Sequence, residues 1–186
     1  EIKYCGVCHT DIHYAHNDWG KSVYPVVPGH EIVGHVVAVG GKVGHIKEGD
    51  FVGVGCIIGS CRSCGSCQKD LEQFCEKGMA MTYGGPDPYH GEDMAYGGYS
   101  TDIVVDADFV LRVPSQLNEK AVAPLLCAGI TTYSPLKHWK IGSKDKVGVI
   151  GLGGLGHMGI KFASAMGAHV VMITTSPDKA ADAKKL

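Results

Sequence analysis

The chain has 186 residues, enough for one large domain or two small ones, with the hydrophobic and charged shares of an ordinary globular protein. A formal net charge of −2 gives no electrostatic reason for a nucleic-acid or anionic-membrane partner, and no apolar run reaches the ~18 residues of a membrane helix. Glycine (27) and cysteine (8, beside 10 histidines) stand out, and they point to tight turns and thiol chemistry.

The chain opens at Glu1 rather than Met, in a strand-like run, and stops at Leu186 in a helical pattern without a cap. Both ends are therefore expected to be cuts within a longer chain, and the lack of a leader peptide carries no weight. Over residues 1–112 short β-branched runs recur at Ile32-Val33, 36–39, 51–54 and 103–105, separated by Gly40-Gly41, Gly49-Asp50 and Pro86-Asp87-Pro88. That spacing predicts a mostly-β domain of short strands. From Asn118 the texture changes. Residues 119–139 read as one helix, capped by Asn118 or Ser115 and stopped by Gly142. Then come a buried strand at 147–150, a helix over 153–167 ended by Gly167, a strand at 169–173 and a further helix from Asp178. This tail is one β-α-β unit. There is no internal repeat and no low-complexity segment.

The strongest chemical signal is Cys61-x2-Cys64-x2-Cys67-x7-Cys75. Four thiolates at this spacing can close a tetrahedron on one zinc ion, and with no open position such a site is structural. Disulfides and a [4Fe–4S] cluster are the alternatives; the otherwise intracellular texture and the gap of seven favour zinc. The second signal is Gly151-Leu152-Gly153-Gly154-Leu155-Gly156, directly after a strand and opening a helix. Only in that context does the pattern indicate dinucleotide binding. Gly151 makes the turn, Gly153 lets the backbone approach a pyrophosphate, and Gly156 allows helix and strand to pack closely. The helix N-terminus then favours the phosphates. About 20 residues on, where an NAD site carries Asp or Glu, the chain has Thr174, Thr175, Ser176 and then Lys179. Three hydroxyls and an ammonium suit a 2′-phosphate, so NADP is expected; the same residues could serve only as the cap of the next helix.

Other candidates are scattered: GVCHTDIH at 6–13, PGHE at 28–31 and LLCAG at 125–129. Spacing alone does not connect them. Together with the four-Cys lobe (about 56–78), PGHEIVG at 28–34, GGYS at 97–100, APLLCAGITTYSPL at 123–136 and GLGGLGHMGIKFA at 151–163, they resemble the zinc-dependent medium-chain alcohol dehydrogenases. The similarity is strongest to the cinnamyl-alcohol-dehydrogenase-like branch, which includes NADPH-dependent aldehyde reductases.

The resemblance implies a mixed fold: a GroES-like, mostly-β catalytic domain over 1–112, then a linker helix and the start of an α/β Rossmann domain over 113–186, both truncated. It implies that Cys8, His30 and Cys127 hold a catalytic zinc, with Glu31 an occasional fourth ligand and Asp11 orienting His30. Thr10 would bond the substrate oxygen and the cofactor, and His13 would pass the proton to solvent. Thr131, one helical turn after Cys127, would touch the nicotinamide end. Two zinc ions per chain, NADP(H), broad-range aldehyde reduction, a cytoplasmic location and a homodimer of the full-length protein follow from the same likeness. The plant lignin enzymes carry a Trp in the substrate pocket where this chain has Ala80, so no stacking wall for cinnamyl rings is expected. The runner-up is an NAD-dependent polyol dehydrogenase. A non-enzymatic zinc-binding protein would explain the four-Cys lobe but not the glycine turn or PGHE.

Overall fold

The glycine-punctuated first half of the chain folds into six short strands: β1 (Ile2–Cys5), β2 (Ile32–His35), β3 (Phe51–Val54), β4 (Ile57–Gly59), β5 (Ala80–Met81) and β6 (Val110–Arg112). The computed structural model describes residues 1–186. β1, β2, β3 and β6 form an antiparallel sheet in that order, and β4 pairs with β5 in a second, two-stranded one. The β2–β3 register sets Ile32 opposite Val54 and His35 opposite Phe51.

Successive strand side chains point to opposite faces, and β2 uses both. Ile32 faces a core with Val54, Ile58, Ala80 and Ala95. Its neighbour Val33, with no exposed surface, faces Val122, Ala123 and Leu126. This second packing draws residues past the β-region onto the sheet, so the first compact unit runs to Cys127, beyond the boundary expected at 112. The helix α1 (His9–His16) is built from the GVCHTDIH segment itself and ends at Asn17 in the left-handed conformation.

Three sequence expectations are corrected. Residues 36–39 form no strand: the backbone of Val36 pairs with Gly49 and Asp50, but Val37 and Val39 are exposed and no partner strand lies beyond. Residues 103–105 also form no strand; Ile103 and Val105 pack on the first core while Val104 is 98% exposed. The single helix expected over 119–139 is broken into α2 (Glu119–Val122), a 3₁₀ turn (Ala123–Leu126) and α3 (Ala128–His138). Pro124 has no amide to donate, and Cys127 takes non-helical angles (φ −128°, ψ −76°). Cys127 thus stands outside the helix, and helical spacing does not put Thr131 on its face.

The second unit, Ala128–Leu186, holds α3, the parallel pair β7 (Lys146–Ile150) and β8 (His169–Ile173), and α4 (Gly154–Ala165) between them. Tyr133 on α3 meets Phe162 on α4 edge to face. The terminal helix is shorter than expected, a 3₁₀ turn at Pro177–Lys179 followed by α5 (Ala180–Ala183).

Candidate functional site

Cys8, His30, Glu31 and Cys127 come from the turn before α1, the loop entering β2 and the junction before α3. Their ligand atoms all lie within 4.8 Å of one another. The Cys8 and Cys127 sulfurs are 3.9 Å apart, and His30 and Glu31 are buried. Asp11, the third residue of α1, reaches back to the Cys8 amide (2.9 Å) and is 3% exposed. Its other oxygen accepts from the Gly29 amide and His30 Nδ1, both at 3.0 Å. Engaging Nδ1 leaves His30 Nε2 free to ligate a metal. Burial is the largest single influence and opposes charge on both partners, but the hydrogen bonds and charges around them together outweigh it: Asp11 is held below the usual carboxylate range and His30 is pushed up to about 10. Cys127 is pushed up, first by the adjacent thiol of Cys56. Two thiols, an imidazole and a buried carboxylate converging on one point are a donor set that a divalent cation satisfies, with zinc the match to sulfur and nitrogen.

The four-Cys lobe closes in the same way. Cys61, Cys64, Cys67 and Cys75 form a second group with ligand atoms within 4.8 Å of one another. The Cys61–Cys67 and Cys64–Cys67 sulfur separations of 3.9 and 3.4 Å suit a tetrahedron around one ion, with ligands at ~2.3 Å; a four-iron cluster is too large for them. None of the eight cysteines is disulfide-bonded. Amides of Cys61, Cys67 and Glu76 point at the sulfurs of Cys75, Cys64 and Cys64, at 3.4–3.5 Å. Such donors hold thiolate charge, and amide contacts keep Cys61 and Cys64 below the ordinary thiol range. The Tyr89 hydroxyl stands 3.8 Å from Cys75 and bonds the Gly78 carbonyl.

In the second unit the glycine turn joins β7 to α4. Gly151 has φ +84°, and a Cβ at Gly156 would collide with the Gly151 carbonyl oxygen, so helix and turn approach as closely as the motif requires. Gly153 caps α4, and nothing occupies the space a side chain would take there. At the end of β8 the Thr174 hydroxyl accepts from the Ser176 amide (3.1 Å), and Lys179 Nζ reaches back to the Leu152 carbonyl (3.4 Å). The ammonium is thereby brought to the glycine turn.

With this geometry in view, comparison with known proteins decides the family. A model of the alcohol dehydrogenase GroES-like domain matches residues 1–115. The chain belongs to this family. Among its relatives, aldehyde reductase YahK of Escherichia coli (strain K12) is 57% identical over 187 residues, covering 100% of this chain and 53% of that protein. A probable mannitol dehydrogenase of Mesembryanthemum crystallinum is 54% identical over 180 residues, covering 96% and 49%. The crystal structure of CAD from Helicobacter pylori complexed with NADP(H) superposes with a TM-score of 0.95 at 48% identity, covering 100% of this chain and 53% of that one. The chain thus spans about half the length of the curated relatives it matches.

Within this alcohol dehydrogenase GroES-like frame, the structure gathers the scattered candidates of the first unit into one cluster. Thr10 and His13 are half-buried on α1, three residues apart and so on neighbouring positions of the helix. Sequence reasoning overlooked Asp18, whose carboxylate engages His13 Nδ1 at 2.8 Å, and Tyr99, whose hydroxyl lies 3.0 Å from Asp11. The first lies across the C-terminal turn of α1 and the second across 88 residues, where no periodicity reveals it. The hydroxyl of Tyr83 is kept protonated by burial and then by Asp11, although it meets no acceptor in hydrogen-bond geometry. Ala80, on β5, has no exposed surface and packs in the first core.

Proposed function

We propose that the full-length protein is a zinc-dependent oxidoreductase that interconverts aldehydes and primary alcohols with NADP(H). The convergence of Cys8, His30, Glu31 and Cys127 carries this reading. When bound, zinc supplies Lewis acidity for a carbonyl oxygen and NADP(H) supplies the hydride. Cys8, Cys127 and His30 Nε2 would hold the metal and leave one position open, which Glu31 can take. Asp11 fixes the imidazole plane. Thr10 positions its hydroxyl to give a proton to an alkoxide. His13, with Nδ1 tied to Asp18, keeps Nε2 for proton exchange toward solvent. Thr174, Thr175, Ser176 and Lys179 supply donors for a 2′-phosphate, and Gly151, Leu152, Gly153, Gly154, Leu155 and Gly156 shape the pyrophosphate turn. Thr131 is retained as a cofactor contact on family likeness alone.

The likeness to an aldehyde reductase and to a CAD complexed with NADP(H) supports substrate class and cofactor. A second reading, polyol oxidation with NAD, is favoured by the mannitol dehydrogenase relative. Steady-state assays of the full-length enzyme over aldehydes and polyols, with NADPH and NADH, separate the two. Aldehyde reduction with NADPH is expected to dominate and to vanish in Cys127→Ser together with one metal. Full turnover in a Cys127→Ser protein that has lost that metal would overturn the reading.

A further inference from the structure

We propose that Tyr99 is a positioning residue for the metal of the Cys8–His30–Cys127 cluster, acting through Asp11 on His30. The inference rests on reading those three residues as ligands.

An aspartate accepts hydrogen bonds and donates none. The buried carboxylate of Asp11 is saturated, two donors to each oxygen. Oδ1 takes the Gly29 amide and His30 Nδ1; Oδ2 takes the Cys8 amide and the Tyr99 hydroxyl. Tyr99 is the only one of the four that belongs neither to a ligand nor to the residue beside one. Its hydroxyl also lies 3.2 Å from the Gly6 carbonyl. One proton serves both acceptors, and the charged one holds it more strongly. Burial, followed by the negative charge of Asp11, raises the Tyr99 hydroxyl, so it stays a donor.

The main chain around Tyr99 grips the other side of His30. Amides of Gly97, Gly98 and Tyr99 donate to the carbonyls of Val27, Gly29 and Pro28 at 2.7, 2.8 and 3.0 Å. One loop therefore fixes both the backbone that leads into His30 and the carboxylate that orients its ring. Without the hydroxyl, Oδ2 keeps a single donor. The carboxylate gains freedom to turn, and the imidazole bonded to Oδ1 turns with it.

The test is metal release from the zinc-loaded full chain to a colorimetric chelator, followed in time. Two phases are expected, and Cys127→Ser identifies the catalytic one by removing it. Tyr99→Phe should speed that phase about ten- to a hundredfold, the scale on which a hydrogen-bonded partner behind the ligands changes metal affinity, and leave the four-Cys phase unchanged. Tyr96→Phe, half-exposed in the same loop, should release at the wild-type rate. In an Asp11→Asn background Tyr99→Phe should add nothing, because its effect passes through the carboxylate. With cobalt in place of zinc, Tyr99→Phe should shift the visible bands of the catalytic site. Equal release rates for wild type and Tyr99→Phe, or the same acceleration in both backgrounds, would overturn the inference while leaving the metal site intact. Absence of any phase that Cys127→Ser removes would overturn the site itself.

Discussion

At the scale of single residues, the proposed proton relay divides one task between Thr10 and His13. A hydroxyl that donates to a developing alkoxide acts in the transition state, whereas an imidazole nearer solvent can be replaced by water. Thr10→Ala in the full-length enzyme should therefore lower turnover by about 10²–10⁴-fold, the usual reach of a positioned proton donor, with little change in NADPH affinity. His13→Ala should be milder and alter the pH–rate profile. Normal turnover in Thr10→Ala, measured by stopped-flow with saturating NADPH, would remove Thr10 from the relay. The types and order of these residues are legible in GVCHTDIH. Their relation to His30 is not, because Asp11 spans 18 residues of chain to reach the Gly29 amide and 19 to reach His30.

At the scale of elements, the four-Cys lobe and the loop behind it have different supports. The lobe consists of 3₁₀ turns at Cys67–Lys69 and Glu72–Phe74, with Leu71 and Phe74 exposed at 38% and 65%. It has little apolar core, so the metal must supply most of its order. Stripping that ion should open residues 60–78 to limited proteolysis before the β1-β2-β3-β6 sheet unfolds; equal protection with and without metal would contradict this. The following loop is tied by His90, which bonds Asp87 (2.5 Å) and Asp106 (3.1 Å), with Arg62 joining Asp106 and Asp108. The bond to Asp87, against partial burial, raises the His90 pKa above its ordinary value near 6.5. A group raised on folding stabilises fully below its unfolded pKa and loses that contribution as pH rises through the folded one. Wild type should therefore exceed His90→Gln in stability most at pH 6, and the gap should narrow by pH 9. Urea midpoints at the two pH values give the comparison; a gap that widens with pH would refute the assignment.

For the molecule as a whole, nucleotide choice is the sharpest expectation. Lys179 already touches the glycine turn through the Leu152 carbonyl, and an ammonium there favours a 2′-phosphate. Lys179→Ala in the full-length enzyme should weaken NADPH about ten- to a hundredfold, as one charge-assisted hydrogen bond contributes roughly 1.5–3 kcal/mol, and should barely alter NADH. Thr174→Asp should go further, since a carboxylate bonds a free 2′-OH and repels phosphate. The ratio of kcat/KM values with the two cofactors measures both effects, and an unchanged ratio in Thr174→Asp would displace the phosphate pocket from this strand end.

The local patterns were determined by sequence alone. Glycine after strand β7 and before α4, thiols at gaps of two, two and seven, and hydroxyls with a lysine after β8 each act within a few turns of chain, where spacing translates directly into geometry. The family likeness extended that reach to Cys8, His30 and Cys127, whose convergence spacing alone could not supply. Only the tertiary structure decided where the long-range partners meet. It broke the expected 119–139 helix at Pro124 and Cys127, because Val122, Ala123 and Leu126 bury themselves against Val33. It made no strand of 36–39 or 103–105, because a β-branched run becomes a strand only where another edge bonds it along its length. It also placed Tyr99 on Asp11, a contact across 88 residues, by bonding the 97–99 backbone to the 27–29 segment.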